Sequence, residues 1–449
     1  MRTAAVPVTH SQASLYFAEA MCPEEGAYNM AFAIDVEGPV SDAGLVAAAH
    51  RAYRAIPALR LRLGIDDVSG EIVSWFHDRL PDVEVVDLDG AGPDAVADAV
   101  DAATRRAIDI DEGGLARFAV LRTGRTAATL AVVFHHLVAD GLCHVPFAER
   151  LARCVVGDLP EDDGRDYVGL VRRIRERETR AAAELRGVSF ARLPEDLLAR
   201  TRLPCRTDGA VSRGGRTVVI VDTGATRGLR EQARRLETSL FKVLIGAVHH
   251  ALPADDGGAS VVCTAASQRP AGGEADSLIG CFINEVPLPA ARYGSDTVAD
   301  IVLRESAGWH ADLRRRDFPF AELARRADPA GTSAARLDSV MVGYRKLPRT
   351  MRWTDAGVTC RAVLEQPFPT PKTEISLRFL DRGDTLECEV QWGRGLVETA
   401  GAAFTDELGR SLAGAGAGAG AGVGVGAGVG VGAAAGAGAG AAAVAEVVR

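Results

Sequence analysis

The seven residues 135–141, HHLVADG, constrain this chain more than any other part of its sequence. Two apolar segments, 117–122 and 126–134, precede them and are joined by a turn-like Thr-Gly-Arg, a pattern that predicts a β-hairpin. The unbroken apolar run at 130–134 indicates that the second strand is covered on both faces. The two histidines are therefore expected where a buried strand meets a loop, a common place for functional side chains because the strand fixes their position.

The residue types in this run suit acid–base chemistry. A histidine at the mouth of a cavity, such as His136, can take a proton from a nucleophile and return it to a leaving group, because imidazole titrates near neutral pH. Asp140 would orient it or fix its charge, and Gly141 would allow close backbone passage or present an N–H to an oxyanion. Two alternatives remain open: a core histidine followed by an ordinary turn, and a metal site in which His136, Asp140 and His144 share a helix face.

Composition and charge narrow the class of protein. The 449 residues exceed one ordinary domain, and 47% hydrophobic with 25% charged residues indicate a soluble globular chain of two lobes or domains. A formal net charge of −9 argues against nucleic acid as a partner. The N-terminus lacks the apolar core of a signal peptide, and the Ala/Gly/Val run at 413–443 is too weakly hydrophobic to favour a membrane span. We therefore expect a cytoplasmic protein with no membrane partner, whose eight scattered cysteines are reduced thiols.

HHLVADG resembles the HHxxxDG signature of condensation domains of nonribosomal peptide synthetases and of the wider chloramphenicol-acetyltransferase-like acyltransferases. Further segments match blocks of this family in the same order, and the resemblance covers about residues 8–412. The block at 279–288, which is similar to the family's GxFxNxxPL, is the most specific of them. The other matching segments are Ser11-Gln12, Tyr28-Asn29, Ala58-Leu59-Arg60 and the helix start at 317–323.

The resemblance implies an α/β (α+β) fold of two chloramphenicol-acetyltransferase-like lobes in a V, with the active site in the tunnel between them. The N-terminal lobe would span residues 1–188 and carry the HHxxxDG run, and the C-terminal lobe would span 217–412. Residues 189–216, rich in Arg, Pro and Gly, are interpreted as the inter-lobe linker. Residues 413–449 are predicted to be a disordered low-complexity tail.

The resemblance also implies roles for individual residues. His136 would be the general base or positioning group for the nucleophile, Gly141 an oxyanion donor, and His135 a structural support. In this family an arginine just before a proline pairs with the aspartate of the signature, so Arg269 is expected to meet Asp140 across the lobe interface.

Asn284, in the block at 279–288, has two interpretations that stay open. Its amide could be offered to the tunnel, or it could satisfy backbone groups at a strand bulge. No permanently bound cofactor and no metal are expected for this family.

The function implied is that of a free-standing condensation enzyme in natural-product or antibiotic biosynthesis. An acyl or aminoacyl donor would arrive as a thioester on the phosphopantetheine arm of a carrier protein. An amine or alcohol acceptor, free or carrier-bound, would enter by the other mouth and give an amide or an ester. Carrier proteins are usually acidic, so the basic clusters at 172–175 and 314–316 are candidate docking sites.

Three other functions remain open. A coenzyme-A-dependent O-acyltransferase of the same superfamily would share HHxxxDG, and comparing free with carrier-bound thioesters would separate it from a condensation enzyme. An epimerisation domain keeps the signature but normally lies inside a multidomain synthetase. A non-catalytic module that recruits carriers usually has a degraded signature, whereas His136, Asp140 and Gly141 are all present here.

Overall fold

The computed structural model describes residues 5–21, 26–92, 94–110, 114–157, 162, 164–184, 214–253, 258–270, 274–327, 337–347, 351–363, 373–393, 396, 398–417 and 423–426. Within these ranges the chain forms two large β-sheets with helices packed against them and one small three-stranded sheet. The predicted α/β class with two sheet-based lobes is confirmed.

The first lobe is formed by the N-terminal elements. In chain order they are β1 (Val6–Pro7), α1 (His10–Met21), β2 (Asn29–Glu37), α2 (Asp42–Ala55), β3 (Leu61–Ile65), β4 (Ile72–Phe76), β5 (Val83–Asp87), α3 (Ala95–Arg105), β6 (Ala116–Gly124), β7 (Ala127–His135), α4 (His144–Val156) and α5 (Arg165–Glu184).

The second lobe begins at residue 215. In chain order the elements from there on are β8 (Gly215–Val221), α6 (Thr223–Arg235), α7 (Leu240–Ala251), β9 (Ala259–Ser267), β10 (Ile283–Ala291), α8 (Val298–Arg314), α9 (Phe320–Ala327), β11 (Val340–Lys346), β12 (Arg352–Asp355), β13 (Val358–Val363), β14 (Ile375–Asp381), β15 (Leu386–Trp392), α10 (Glu398–Gly416) and β16 (Val423–Gly426). Two of them, β12 and β13, belong to the sheet of the first lobe.

The predicted hairpin before the HHxxxDG run is present as β6 and β7, which pair antiparallel. On its other side β7 pairs with β2, so it lies inside a six-stranded sheet of order β12-β13-β2-β7-β6-β5. All residues of β7 after Ala127 are buried. Phe134 packs on Phe32, with ring centroids 5.3 Å apart, and on Phe147 of α4 at 5.5 Å. Burying a side chain of this size stabilises a fold by roughly 1.5–3 kcal/mol, which holds the strand rigidly at the point where the signature begins.

The second lobe is a seven-stranded sheet of order β10-β9-β11-β14-β15-β8-β16. Its core lies between one face of this sheet and α6, α7, α8 and α10. Trp309 of α8 is fully buried there, and its indole N–H donates to the Pro289 carbonyl at 2.8 Å. The opposite face of this sheet carries no residues of that core, and it is the face that matters for the site.

The two lobes are not separated by a single cut in the sequence. The β12–β13 hairpin at 352–363 falls in the range predicted for the C-terminal lobe, yet β13 pairs antiparallel with β2 of the first sheet. Cys360 is buried against the first core accordingly. Of the predicted linker 189–216, residues 189–213 lie outside the described residues, and Gly215 and Arg216 already belong to β8.

The prediction of a disordered tail is wrong for the part of 413–449 that the structure describes. Helix α10 continues to Gly416, and Val423–Gly426 forms an edge strand paired with β8. The helix end can pack this closely because Gly228 lacks a side chain: an added Cβ there would lie 2.1 Å from the Gly416 carbonyl oxygen. Residues 418–422 and 427–449 lie outside the described residues. No helix in the described part of the chain is both long and apolar enough to span a bilayer.

Candidate active site

Strand β7 ends at His135 and delivers His136 into a short 3₁₀ turn at 136–138. The backbone N–H of His136 donates to the Tyr28 carbonyl at 2.8 Å, which fixes the start of the turn. The His136 side chain is half-buried, and its Nδ1 lies 3.9 Å from Sγ of Cys281, which precedes β10. The histidine that the sequence singles out therefore lies where the two lobes meet.

His135 has a different environment from its neighbour. Its side chain is buried, its Nδ1 accepts a hydrogen bond from the Leu137 N–H at 3.1 Å, and its Nε2 lies 3.6 Å from a Glu19 carboxylate oxygen. These contacts bind the turn to α1. The geometry agrees with the supporting role that the resemblance implies for His135.

Gln12 of α1 holds the same turn from the other side. Its buried amide nitrogen donates to the Leu137 carbonyl at 2.9 Å and to the Tyr167 hydroxyl at 3.3 Å. Its amide oxygen accepts from the Thr9 N–H at 3.0 Å. Gln12, of the Ser-Gln pair noted in the sequence, therefore links α1 to the turn and to α5.

Asp140 and Arg269 form the expected pair across the lobes. Arg269 Nη1 donates to Asp140 Oδ2 at 2.7 Å, and both side chains are almost completely buried. The same carboxylate oxygen accepts from the Phe282 N–H at 2.9 Å, and Oδ1 accepts from the Leu142 N–H at 2.9 Å. A buried carboxylate held by a guanidinium and two backbone N–H groups is an anchor for the loop, because removing the guanidinium leaves a buried charge without compensation.

The guanidinium of Arg269 is bonded on its other edge as well. Nη2 donates to the carbonyls of Leu278 at 3.2 Å and Gly280 at 3.1 Å, and Cζ lies 4.7 Å from the centre of the Phe282 ring. Burial disfavours the charge, but the adjacent Asp140 outweighs it and raises the pKa of Arg269. Arg269 thus locks the segment before β10 to the HHxxxDG loop.

Two buried thiols line this junction and stay protonated. Burial, and after it the charge of Asp140, raises the pKa of Cys143 to about 12, and the same two causes raise the pKa of Cys281. The thiolate is the reactive form of cysteine, so neither side chain is a nucleophile near neutral pH.

Of the two interpretations of Asn284, the structure favours hydrogen bonding to the backbone. Its Nδ2 donates to the carbonyls of Arg316 at 2.8 Å and Phe318 at 2.5 Å, while its Oδ1 accepts from the Phe320 N–H at 3.4 Å and the Ser11 hydroxyl at 3.5 Å. The amide is therefore committed to the α8–α9 connection. The expected bulge is absent at this position, since β9 and β10 pair in unbroken register.

The metal alternative finds no support in the described ranges. No group of three or more His, Cys, Asp or Glu side chains there lies close enough to hold a metal ion. Asp140 is engaged by Arg269, and His144 is buried with its ring 4.7 Å from that of Phe32.

Arg345 is a residue of the site that the sequence did not reveal. It comes from β11 of the second lobe, and its guanidinium lies against Gly141: a Cβ added to Gly141 would be 2.2 Å from Nη2 and 2.6 Å from Cζ. The guanidinium occupies the space that a side chain at this position would take, so the glycine of HHxxxDG makes room for a cation. The sequence of 340–346 contains no local signal for this contact, because the contact depends on how the two lobes are placed.

A second inter-lobe contact lies one residue before Arg269. Glu178 of α5 is fully buried, and its carboxylate accepts from the His10 N–H at 3.2 Å and from Gln268 Nε2 at 3.1 Å. Burial raises the pKa of Glu178 to about 6 despite Arg175 at 3.6 Å. Burial, followed by Arg175, lowers the pKa of His10 to about 4.

Comparisons with known proteins agree with this architecture. Residues 3–356 match the family model described as condensation domain. The chain is 26% identical over 413 residues to chondramide synthase of Chondromyces crocatus, covering 88% of this chain but 10% of that synthase.

Among solved structures, the first condensation domain of the calcium-dependent antibiotic synthetase, in complex with a substrate analogue, has a TM-score of 0.71 and 18% identity, over 93% of this chain and 97% of that one. The starter condensation domain of rhizomide synthetase, in complex with C8-CoA, has a TM-score of 0.71 and 16% identity, over 92% and 95%. The fold and site define a two-lobed protein of the chloramphenicol-acetyltransferase-like class. Within that class the chain belongs to the condensation-domain family.

Proposed function

We propose that this protein catalyses acyl transfer from a thioester to a nucleophile in natural-product biosynthesis. The donor would be an acyl or aminoacyl group on the phosphopantetheine arm of a carrier protein, and the product an amide or an ester. The observation that carries the proposal is a half-buried His136 at the lobe junction beside an intact Asp140–Arg269 pair.

The chemistry demands little from the protein beyond orientation and proton handling. The nucleophile attacks the thioester carbonyl carbon, the carbon–sulfur bond breaks, and the proton of the nucleophile is passed to the thiolate that leaves. Because Nδ1 of His136 faces the buried Cys281 thiol, we assign the proton transfer to Nε2. An alcohol depends on this base more than a free amine does, since the amine is already nucleophilic.

The oxyanion formed during attack requires a donor in a dry setting. In this proposal the backbone around Gly141 provides it, held by the buried Asp140 carboxylate on one side and by Arg345 on the other. No cofactor is assigned to the protein itself; the phosphopantetheine belongs to the carrier.

Carrier docking would use the two basic clusters noted in the sequence. We treat them as one surface, because Arg177 of α5 pairs with Asp317, just beyond the end of α8, at 3.0 Å and so brings the two segments together. The exposed members of this inter-lobe basic surface are Arg172, Arg173, Arg314 and Arg315. An overall acidic chain that concentrates exposed arginines at the lobe junction is suited to an acidic carrier.

The test is product formation by the purified wild-type protein and His136→Ala, each given an aminoacyl-loaded carrier with amine and alcohol nucleophiles and read by mass spectrometry. The matched control is His310→Ala, which removes an exposed histidine on α8. Product that is lost only in His136→Ala supports the proposal, and its mass distinguishes amide from ester. Equal turnover by a free coenzyme A thioester favours the O-acyltransferase alternative, and carrier binding without any product favours recruitment.

A further inference from the structure

The Cys281 side chain, which comes from the second lobe, lies beside His136 of the first. Its Sγ is 3.9 Å from Nδ1 of His136, at the outer range of a sulfur hydrogen bond, and the whole cysteine is buried. A thiol sulfur is a weak acceptor of hydrogen bonds as well as a weak donor. The imidazole nitrogen that faces it is the one that the proton transfer proposed above does not use.

The backbone on both sides of Cys281 is fixed by the Asp140–Arg269 pair. The carbonyl of Gly280 accepts from Arg269 Nη2 at 3.1 Å, and the N–H of Phe282 donates to Asp140 Oδ2 at 2.9 Å. The cysteine between them is therefore held by a side chain of each lobe. A group that orients a reactive side chain has to be fixed in this way itself.

The cysteine and the histidine do not form an ion pair. Burial, and after it the charge of Asp140, raises the pKa of the Cys281 thiol, so the sulfur is neutral near pH 7. A carboxylate beside an imidazole would stabilise the protonated ring, which cannot act as a base. The Asp140 carboxylate is turned towards Arg269 instead. The contact with Cys281 can thus orient the imidazole without favouring its charged form.

We propose that Cys281 is a positioning residue for His136: its sulfur accepts the Nδ1–H of the neutral imidazole and leaves the lone pair of Nε2 free to take the proton of the nucleophile. The hydrogen bond made by one ring nitrogen decides which nitrogen carries the proton. The proposal rests on the acyl-transfer function above. It adds that the base is correctly oriented only when the two lobes are docked, because the sulfur belongs to the second lobe.

The experiment compares single-turnover rates of the full-length wild type, Cys281→Ala and Cys281→Ser with a carrier-bound donor and either an alcohol or an amine acceptor. In Cys281→Ala the rate with the alcohol falls about fivefold, as for loss of one neutral hydrogen bond. The rate with the amine falls less, because a free amine depends less on the base. Cys281→Ser recovers most of the loss, since a hydroxyl oxygen also accepts. Cys388→Ala, which truncates a buried thiol of β15, keeps the wild-type ratio of the two rates.

A second readout needs no turnover. Long-range ¹H–¹⁵N spectra of protein labelled in its histidine rings distinguish the two tautomers, and the signals missing in His136→Ala identify that residue. We expect the Nδ1–H tautomer in the wild type and in Cys281→Ser, and a mixture in Cys281→Ala.

Three results overturn the inference: the Nε2–H tautomer in the wild type, a tautomer that Cys281→Ala leaves unchanged, or an equal loss of rate with both acceptors. Absence of product with every acceptor overturns the proposed function instead, and the spectra then still decide whether Cys281 fixes the imidazole.

Discussion

Arg269 of the second lobe donates to Asp140 of the first at 2.7 Å, although 129 residues separate them in the chain. Neither side chain has appreciable access to solvent, and the Asp140 carboxylate also accepts two backbone N–H groups. The pair therefore couples the position of the catalytic loop to the docking of the lobes.

Removing either partner of this pair is expected to destabilise the protein. Asp140→Ala and Arg269→Ala should each lower the free energy of unfolding by about 3–5 kcal/mol, because the remaining charge stays buried without its partner. Urea titration followed by circular dichroism measures this. Arg410→Ala, at the surface of α10, is the control and should change it by less than about 0.5 kcal/mol. Stable, soluble Arg269→Ala protein would show that the pair does not anchor the loop.

The contact between Gly141 and Arg345 predicts a coupled pair of mutations. In Gly141→Ala the new methyl group occupies the space of the Arg345 guanidinium, so the end of this side chain has to move and its contact with the loop is lost. Arg345→Ala should remove the clash, so the double variant is expected to be more stable than Gly141→Ala alone. Urea titration of the four proteins in a double-mutant cycle measures the coupling. Strictly additive effects would argue against the contact.

The parts of the site that sequence reasoning found are those with a local signal. The β6–β7 hairpin was predicted from two apolar segments, the turn between them and an unbroken apolar run. The resemblance to the family implied Arg269, because an arginine just before a proline pairs there with the aspartate of the signature. Arg345 had no such signal, because nothing in the sequence of β11 distinguishes it from other strands. The contact of Arg345 with Gly141 depends on the packing of the two lobes.

The same reason explains the errors in domain organisation. Residues 352–363 lie in the range predicted for the C-terminal lobe, but the sheet that their hairpin joins is decided by backbone pairing with β2, far away in the sequence. The Ala/Gly composition of residues 413–416 predicts poor helix stability in isolation. Packing of Gly416 against Gly228 and Ala225 overrides that local preference.

Asn284 provides a test that separates structural from catalytic roles. Asn284→Ala removes two hydrogen bonds to the carbonyls of Arg316 and Phe318, so the free energy of unfolding should fall by about 1–3 kcal/mol. Because the amide is committed to that backbone, kcat per folded molecule should change little. Thermal melting and single-turnover rates, measured on the same preparation, check both statements. A large loss of rate in a fully stable variant would restore the tunnel-facing interpretation.

The inter-lobe basic surface predicts a carrier-specific defect. Arg173→Glu combined with Arg314→Glu should lower kcat/KM for a carrier-bound donor on the order of tenfold at low salt, because steering by opposite charge is lost. The variant should use a small-molecule thioester, which does not dock, as efficiently as the wild type does. Arg234→Glu combined with Arg235→Glu, at two exposed positions of α6, is the charge-matched control. A defect that is equal for both donors would place carrier docking elsewhere.

Glu178 predicts a pH dependence of stability at the lobe junction. Its pKa is raised from 4.5 to about 6 in the folded protein, chiefly by burial. A raised carboxyl pKa means that the folded state binds the proton more tightly than the unfolded state does. The stability that protonated Glu178 contributes is therefore complete below about pH 4.5 and is lost as the pH rises through 6.

In Glu178→Gln this loss is absent. The free energy of unfolding of the variant, minus that of the wild type, should increase by about 2 kcal/mol between pH 4.5 and pH 7. The groups that face Glu178 are His10 of α1, Arg175 of α5 and Gln268 after β9, with Asp317 beyond Gln268. Taking the difference between the two proteins cancels the titration of His10, whose lowered pKa acts in the opposite direction as the pH falls below 6.5. Urea titrations at pH 4.5, 5.5, 6.5 and 7.5 measure the difference, and a value that does not vary with pH would mean that folding does not raise the pKa of Glu178.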